Sequence, residues 1–175
     1  MHHIYALFTP AAMIRLGVLG AGFSAGYSFA SSHGSVQSIL QTPTLTASQI
    51  AMNWDKVYTR GVKLVPPVAF VSSLAFLSAA YRFKGPLIAT AFGISPKLQL
   101  NIAAGLLLCV FPWTYFRMLP GLQRLQAYSA SAEKGALIDG PEAKGIIADV
   151  EDWHWANGVR ALAFGGACVL GLTVL

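Results

Sequence analysis

Four long apolar stretches, separated by polar segments, organise the chain. Runs without Lys, Arg, Asp or Glu extend from Leu16 to Ala30, Leu64 to Tyr81, Leu98 to Phe116 and Ala161 to Leu175, 15 to 19 residues each. With flanking residues that cap or snorkel, each approaches the roughly 20 residues that carry an α-helix across ~30 Å of hydrocarbon. Within hydrocarbon every backbone N–H and C=O must be bonded inside the protein, which selects helices; a closed barrel would need short alternating segments, and these are absent. The pattern predicts an all-α fold, an integral membrane four-helix bundle. It forms one domain over residues 1–175, with spans at about 13–32, 62–81, 98–118 and 156–175.

Two polar segments carry helix signals of their own. Thr46-Ala47-Ser48-Gln49 reads as a capping box, after which Ile50, Trp54, Val57 and Gly61 recur at helical spacing into the second span. Asp139-Gly140-Pro141 can open another helix, with Ile146, Val150, Trp153 and Asn157 on one face leading into the fourth span. Residues 129–140 are small and polar and are expected to form an exposed loop. In the first run, Gly17, Gly20, Gly22 and Gly26 suit close helix packing; Gly22 and Gly26 form a GxxxG pair, so a leucine at position 22 is expected to separate helices. A cleaved signal peptide ending at Ser28-Phe29-Ala30 is the weaker reading, because residues 1–13 hold no Lys or Arg.

Composition agrees with the pattern: 55% hydrophobic and 11% charged residues, with a mean hydropathy of +0.56, lie outside the soluble range. Four spans put both termini and the loop from Arg82 to Lys97 on one side, and the loops 31–63 and 117–160 on the other. The first of these loops is the denser in positive charge, which favours termini in the cytoplasm. All seven acidic residues fall on the second side. The net charge of +5 is spread over loops, so nucleic acid is not an expected partner. Cys109 and Cys168 lie within spans and read as packing residues.

Candidate chemistry collects on the acidic side. Trp153, Asn157 and Arg160 are spaced i, i+4 and i+7 and share a helix face at the mouth of the fourth span; Trp54, Tyr58 and Gly61 repeat that spacing before the second. Alone, these would be an aromatic belt with a snorkelling arginine. Pro66 and Pro67 remove donors near the second span, and Pro112 does so inside the third, freeing the Leu108 carbonyl. Freed carbonyls are tolerated in a membrane only against protein or a wet cavity. A pocket lined by Trp54, Tyr58, Thr114, Trp153, Asn157 and Arg160 is therefore expected. His33 and His154 fall on the same side, but no ligand spacing joins them to an acidic residue, and no metal site is assigned.

Three stretches resemble the small membrane proteins that include the fungal anthrone oxygenases: Trp54-x3-Tyr58-x2-Gly61-x4-Pro66, Pro112-Trp113-Thr114-x3-Met118-x-Pro120, and Trp153-x3-Asn157-x2-Arg160. The chain departs from the family pattern at Gly121-Leu122, where many members have Thr-Asn, and at Val62 and Asn157, since many have a histidine near Gly61 or at the position of Asn157. The resemblance implies a monooxygenase that converts a polyketide anthrone to an anthraquinone, in secondary metabolite biosynthesis. It implies molecular oxygen as co-substrate and no cofactor. Removing a proton from the activated methylene gives a carbanion able to reduce O2 directly, so the site needs an aromatic pocket, a base and a positive group. On that footing Trp54 and Trp153 sandwich the rings, Tyr58 and Thr114 line the substrate site, Arg160 stabilises the oxyanion and Asn157 orients it. His154 is the nearest base by sequence, although an interfacial histidine facing the polar loop describes it equally well. The expected partners are the aromatic polyketide, membrane lipid and other enzymes of the pathway. The alternative is a non-enzymatic membrane subunit or carrier for a lipophilic metabolite, favoured by the Gly-rich first span and the lack of an unmistakable base.

Overall fold

The computed structural model describes residues 9–84, 91–136 and 138–175. All regular structure among them is helical. Helix α1 (Pro10–Phe29) runs into a π-helical segment, Ala30–Val36, and a short α2 (Gln37–Gln41). Next come α3 (Ala47–Arg82), α4 (Pro96–Trp113), a second π-helical segment (Thr114–Met118), α5 (Leu119–Glu133) and α6 (Gly140–Leu172).

The starts of these helices follow from their sequences. Thr9 and Ser95 accept from the backbone of Ala12 and Leu98, each with proline as the first helical residue, where its missing N–H costs nothing. Thr46 and Gln49 complete the expected capping box at α3. Helix α6 opens after Asp139, with Gly140 at φ 63° and Pro141 within its first turn. The expected loop over 129–140 is shorter than its composition implied. Helix α5 continues to Glu133, because Ser129 and Ala132 turn inward beside Leu122 and Leu125.

Helices α3 and α6, of 36 and 33 residues, reach about 50 Å at 1.5 Å per residue, well beyond ~30 Å of hydrocarbon. Two cores stack along them. One joins Val18, Phe76, Leu107 and Phe164; the other joins Trp54, Leu125, Ile146 and Trp153. The first is sheathed in apolar side chains that face outward from every helix: Leu19 on α1, Phe70 and Leu74 on α3, Leu98 and Ile102 on α4, Leu162 and Val169 on α6. A helix apolar on both its buried and its exposed face belongs in lipid. Around the second core charged side chains stand among exposed Phe116, Ile147 and Trp155, and α5 is tied to α6 by the bidentate Arg124–Asp149 pair, with Arg117–Asp152 beside it. The chain is a membrane protein with an all-α bundle. Three of its helical segments, Ala47–Arg82, Pro96–Glu133 and Gly140–Leu172, are long and apolar enough to cross a membrane. Helix α1, which contains Arg15, four glycines and two serines, packs along α3 and α6.

The close helix approach is real but lies elsewhere on the glycine face than expected. A Cβ at Gly22 would make ordinary contact with the Cys168 sulfur at 3.4 Å, and one at Gly26 would meet open space. The tight positions are Gly17 on α1 and Gly171 on α6, whose Cβ atoms would lie 2.6 Å and 2.7 Å from the Phe76 ring, and Gly20, which abuts Ser72. The GxxxG spacing marked the right helix and missed the partner, because the ring that needs the room comes from α3.

Candidate functional site

A cavity of about 260 Å³ lies where the two cores meet, bounded by α1, α3, α4, the second π segment, α5 and α6. Val65, Ala69 and Phe164 line it from the apolar core, Leu122 and Trp153 from the other. The structure brings five of the expected residues to its wall: Tyr58, Thr114, Trp153, Asn157 and Arg160. It also recruits Tyr27 and Ser28 from the end of α1, Ser31 from the π segment that follows it and Tyr115 from the second π segment, none of them expected from the sequence. Their signal was present as Ser24, Ser28, Ser31 and Ser32, a small polar stripe at helical spacing in an apolar run. Gly61 lines the same wall because a Cβ there would come within 3.2 Å of the Tyr27 ring.

Both π segments adjoin the cavity region, one through Ser31 and one through Thr114 and Tyr115. Such segments break the helical ladder and redirect side chains, often at functional sites. Thr114 sits at the first π position, two residues after Pro112, and its hydroxyl donates to the Val110 carbonyl at 2.8 Å. That hydroxyl is left as an acceptor towards the cavity. Trp113 donates its indole N–H to the Ala156 carbonyl at 3.2 Å and fixes α4 against α6.

Two expected residues are placed differently. Trp54 is fully buried and does not line the cavity. It stacks flat on Tyr58 (ring centroids 5.2 Å, 6°) and meets Trp153 edge-on (5.8 Å, 89°), so it supports the two rings that do line the wall. A sandwich of ligand between Trp54 and Trp153 does not fit, because those rings touch each other. His154 also lies outside the cavity. At about 100° per residue, one step beyond Trp153 turns it towards α1. There its Nδ1 lies 3.2 Å from the Ser32 carbonyl and its ring 4.9 Å from that of His33, beside a second cavity.

Asn157 is committed to the scaffold. Its Nδ2 donates to the Ser28 carbonyl at 2.9 Å and to Ser32 Oγ at 2.8 Å, joining α6 to the end of α1 where the π segment begins. Asn157→Ala is therefore expected to lower stability by about 1–3 kcal/mol by leaving buried groups unpaired. Denaturant unfolding in detergent reads this directly; wild-type stability would show that the two bonds contribute nothing.

Among the described residues Arg160 is the only charged one on the wall. Its Nε is buried and without a hydrogen-bond partner, and no ion pair to it is formed among the described residues. Tyr58 lines the same wall. The arrangement can hold a planar apolar ligand between aromatic and aliphatic walls and present one fixed cation to it.

Fold and site together define a helical membrane protein with an aromatic pocket and a single cation. The family model described as anthrone oxygenase matches residues 54–170, from the tryptophan beneath the pocket nearly to the end of α6, and the chain belongs to that family. No curated protein and no solved structure matches the chain significantly.

Proposed function

We propose that this protein is a four-span membrane oxygenase that converts a polyketide anthrone to its anthraquinone with molecular oxygen. The observation that carries the reading is Arg160, one unpaired cation in an apolar, aromatic cavity of a chain of this family. Loss of a proton from the anthrone methylene makes an electron-rich anion whose charge rests largely on oxygen, and a preorganised cation stabilises that charge as it develops. The anion passes an electron to O2; the two radicals combine at the same carbon, and the peroxide takes up a proton. Loss of water then leaves the new carbonyl. The carbon gives up four electrons and O2 accepts them, one oxygen atom entering the product and the other leaving as water. No flavin, nicotinamide or metal is required by that balance.

Membranes containing this protein are expected to consume one O2 per anthrone oxidised, faster than protein-free membranes, in which anthrones oxidise slowly. The rate is expected to rise with pH as the substrate ionises, and His154→Ala, which changes a residue outside the cavity, is expected to keep that rise. If His154→Ala abolished it, proton transfer would run through the second cavity. A rate no faster than the protein-free control would sink the oxygenase reading and leave a carrier for lipophilic metabolites in its place. Loss of activity on chelation, restored by one metal, would overturn the cofactor-free route.

A further inference from the structure

Several donors at the cavity wall have no partner in the protein. The Arg160 Nε and the Trp153 Nε1 are buried and have no hydrogen-bond partner, and the Tyr58 hydroxyl forms no hydrogen bond among the described residues. Two carbonyls at the wall are already engaged, Ser28 by Asn157 and Val110 by Thr114. Among the described residues no carboxylate lines the cavity; its titratable residues besides Arg160 are Tyr27, Tyr58 and Tyr115. A buried donor without an acceptor is costly, and a cation gains from a negative partner. Among the described residues the protein forms no ion pair to Arg160.

We propose that the cavity binds its aromatic ligand as an oxyanion, a phenolate or enolate, with the Arg160 guanidinium and the Tyr58 hydroxyl both donating to the ionised oxygen. Arg160 brings the charge; Tyr58, whose ring is fixed by its stack on Trp54, brings a directed neutral donor. A neutral ligand releases one proton to solvent as it binds, so the site favours ligands with an acidic phenol or enol over apolar ring systems of the same shape. The inference rests on the reading of the cavity as an aromatic-ligand pocket, and it deepens that reading by assigning the ionisation state of the ligand.

Alizarin, a hydroxyanthraquinone that O2 does not consume, changes colour as its phenol ionises and serves as the probe. Its absorption midpoint is followed against pH with the full-length protein in detergent and compared with detergent alone. Bound alizarin is expected to ionise at least tenfold more readily, a midpoint lowered by about one pH unit or more. Arg160→Met is expected to return the midpoint to that of free alizarin, and Arg160→Lys to keep part of the shift. Tyr58→Phe, which preserves the stacked ring, is expected to lose roughly half of it. An unshifted midpoint with saturable alizarin binding would overturn the proposal. A full shift in Tyr58→Phe would remove Tyr58 from it. The readout is independent of oxidation: a shifted midpoint without turnover would overturn only the oxygenase reading, and turnover without a shift only this one.

Discussion

Replacing Arg160 with alanine is expected to slow anthrone oxidation by about 10²- to 10³-fold, the cost of removing a principal donor from an oxyanion site. The size of the effect follows from position. Among the described residues Arg160 is the only charge on the cavity wall, and its buried Nε has no hydrogen-bond partner in the protein. Arg160→Lys keeps the charge but loses the planar fork of donors, and a smaller loss is expected. Arg124 makes the contrast. It is paired with Asp149 at the exposed α5–α6 contact, and Arg124→Ala is expected to leave the rate close to wild type, since surface ion pairs contribute ~0–1 kcal/mol. Initial rates in membranes, corrected for inserted protein, check both. Equal losses for Arg124→Ala and Arg160→Ala would place the chemistry outside this cavity.

The largest effect on stability is expected at the contact of α1, α3 and α6. Phe76 is fully buried on α3, and the places where Gly17 and Gly171 would carry a Cβ lie against its ring. Gly171→Leu would drive four carbons into Phe76 and Val18, where the first alone comes within 2.6 Å. A loss of about 3 kcal/mol or more is expected, the upper end of overpacking. Phe76→Ala removes the ring and is expected to cost about 3–5 kcal/mol. The two sites are coupled: in Phe76→Leu the smaller side chain makes room, so Gly171→Ala should cost less there than in the wild type. Additive losses would contradict a shared contact. Gly26→Ala, directed into open space, should change little. Thermal unfolding in one detergent ranks all of these.

Much of the bundle was legible because the bilayer restricts what an apolar run can become. A chain with four charge-free runs must satisfy its backbone internally, and helices are what those run lengths allow. The starts of α3 and α6 were legible for a local reason: Thr46, Gln49, Gly140 and Pro141 act on backbone groups within one turn of themselves. Tyr58, Thr114, Trp153, Asn157 and Arg160 could be gathered at one level because helical spacing and proline position fix height along the membrane normal.

What spacing does not fix is rotation about each axis and the choice of neighbour. Only tertiary packing decided that Trp54 lies beneath Tyr58 and Trp153 instead of facing a ligand, that His154 turns to Ser32, and that Asn157 spends its amide on α1. It also decided that the end of α1 and the π segment after it close the pocket with Tyr27, Ser28 and Ser31, and that Phe76 fills the glycine face. Each of these depends on how side chains on different helices meet, as Phe76 on α3 meets Gly17 on α1 and Asn157 on α6 meets Ser28. The sequence by itself determined a helical membrane bundle with aromatic residues and a cation at one level. The structure determined which of them share a cavity, because burial of a ring or an amide is a property of the assembled helices and of no helix alone.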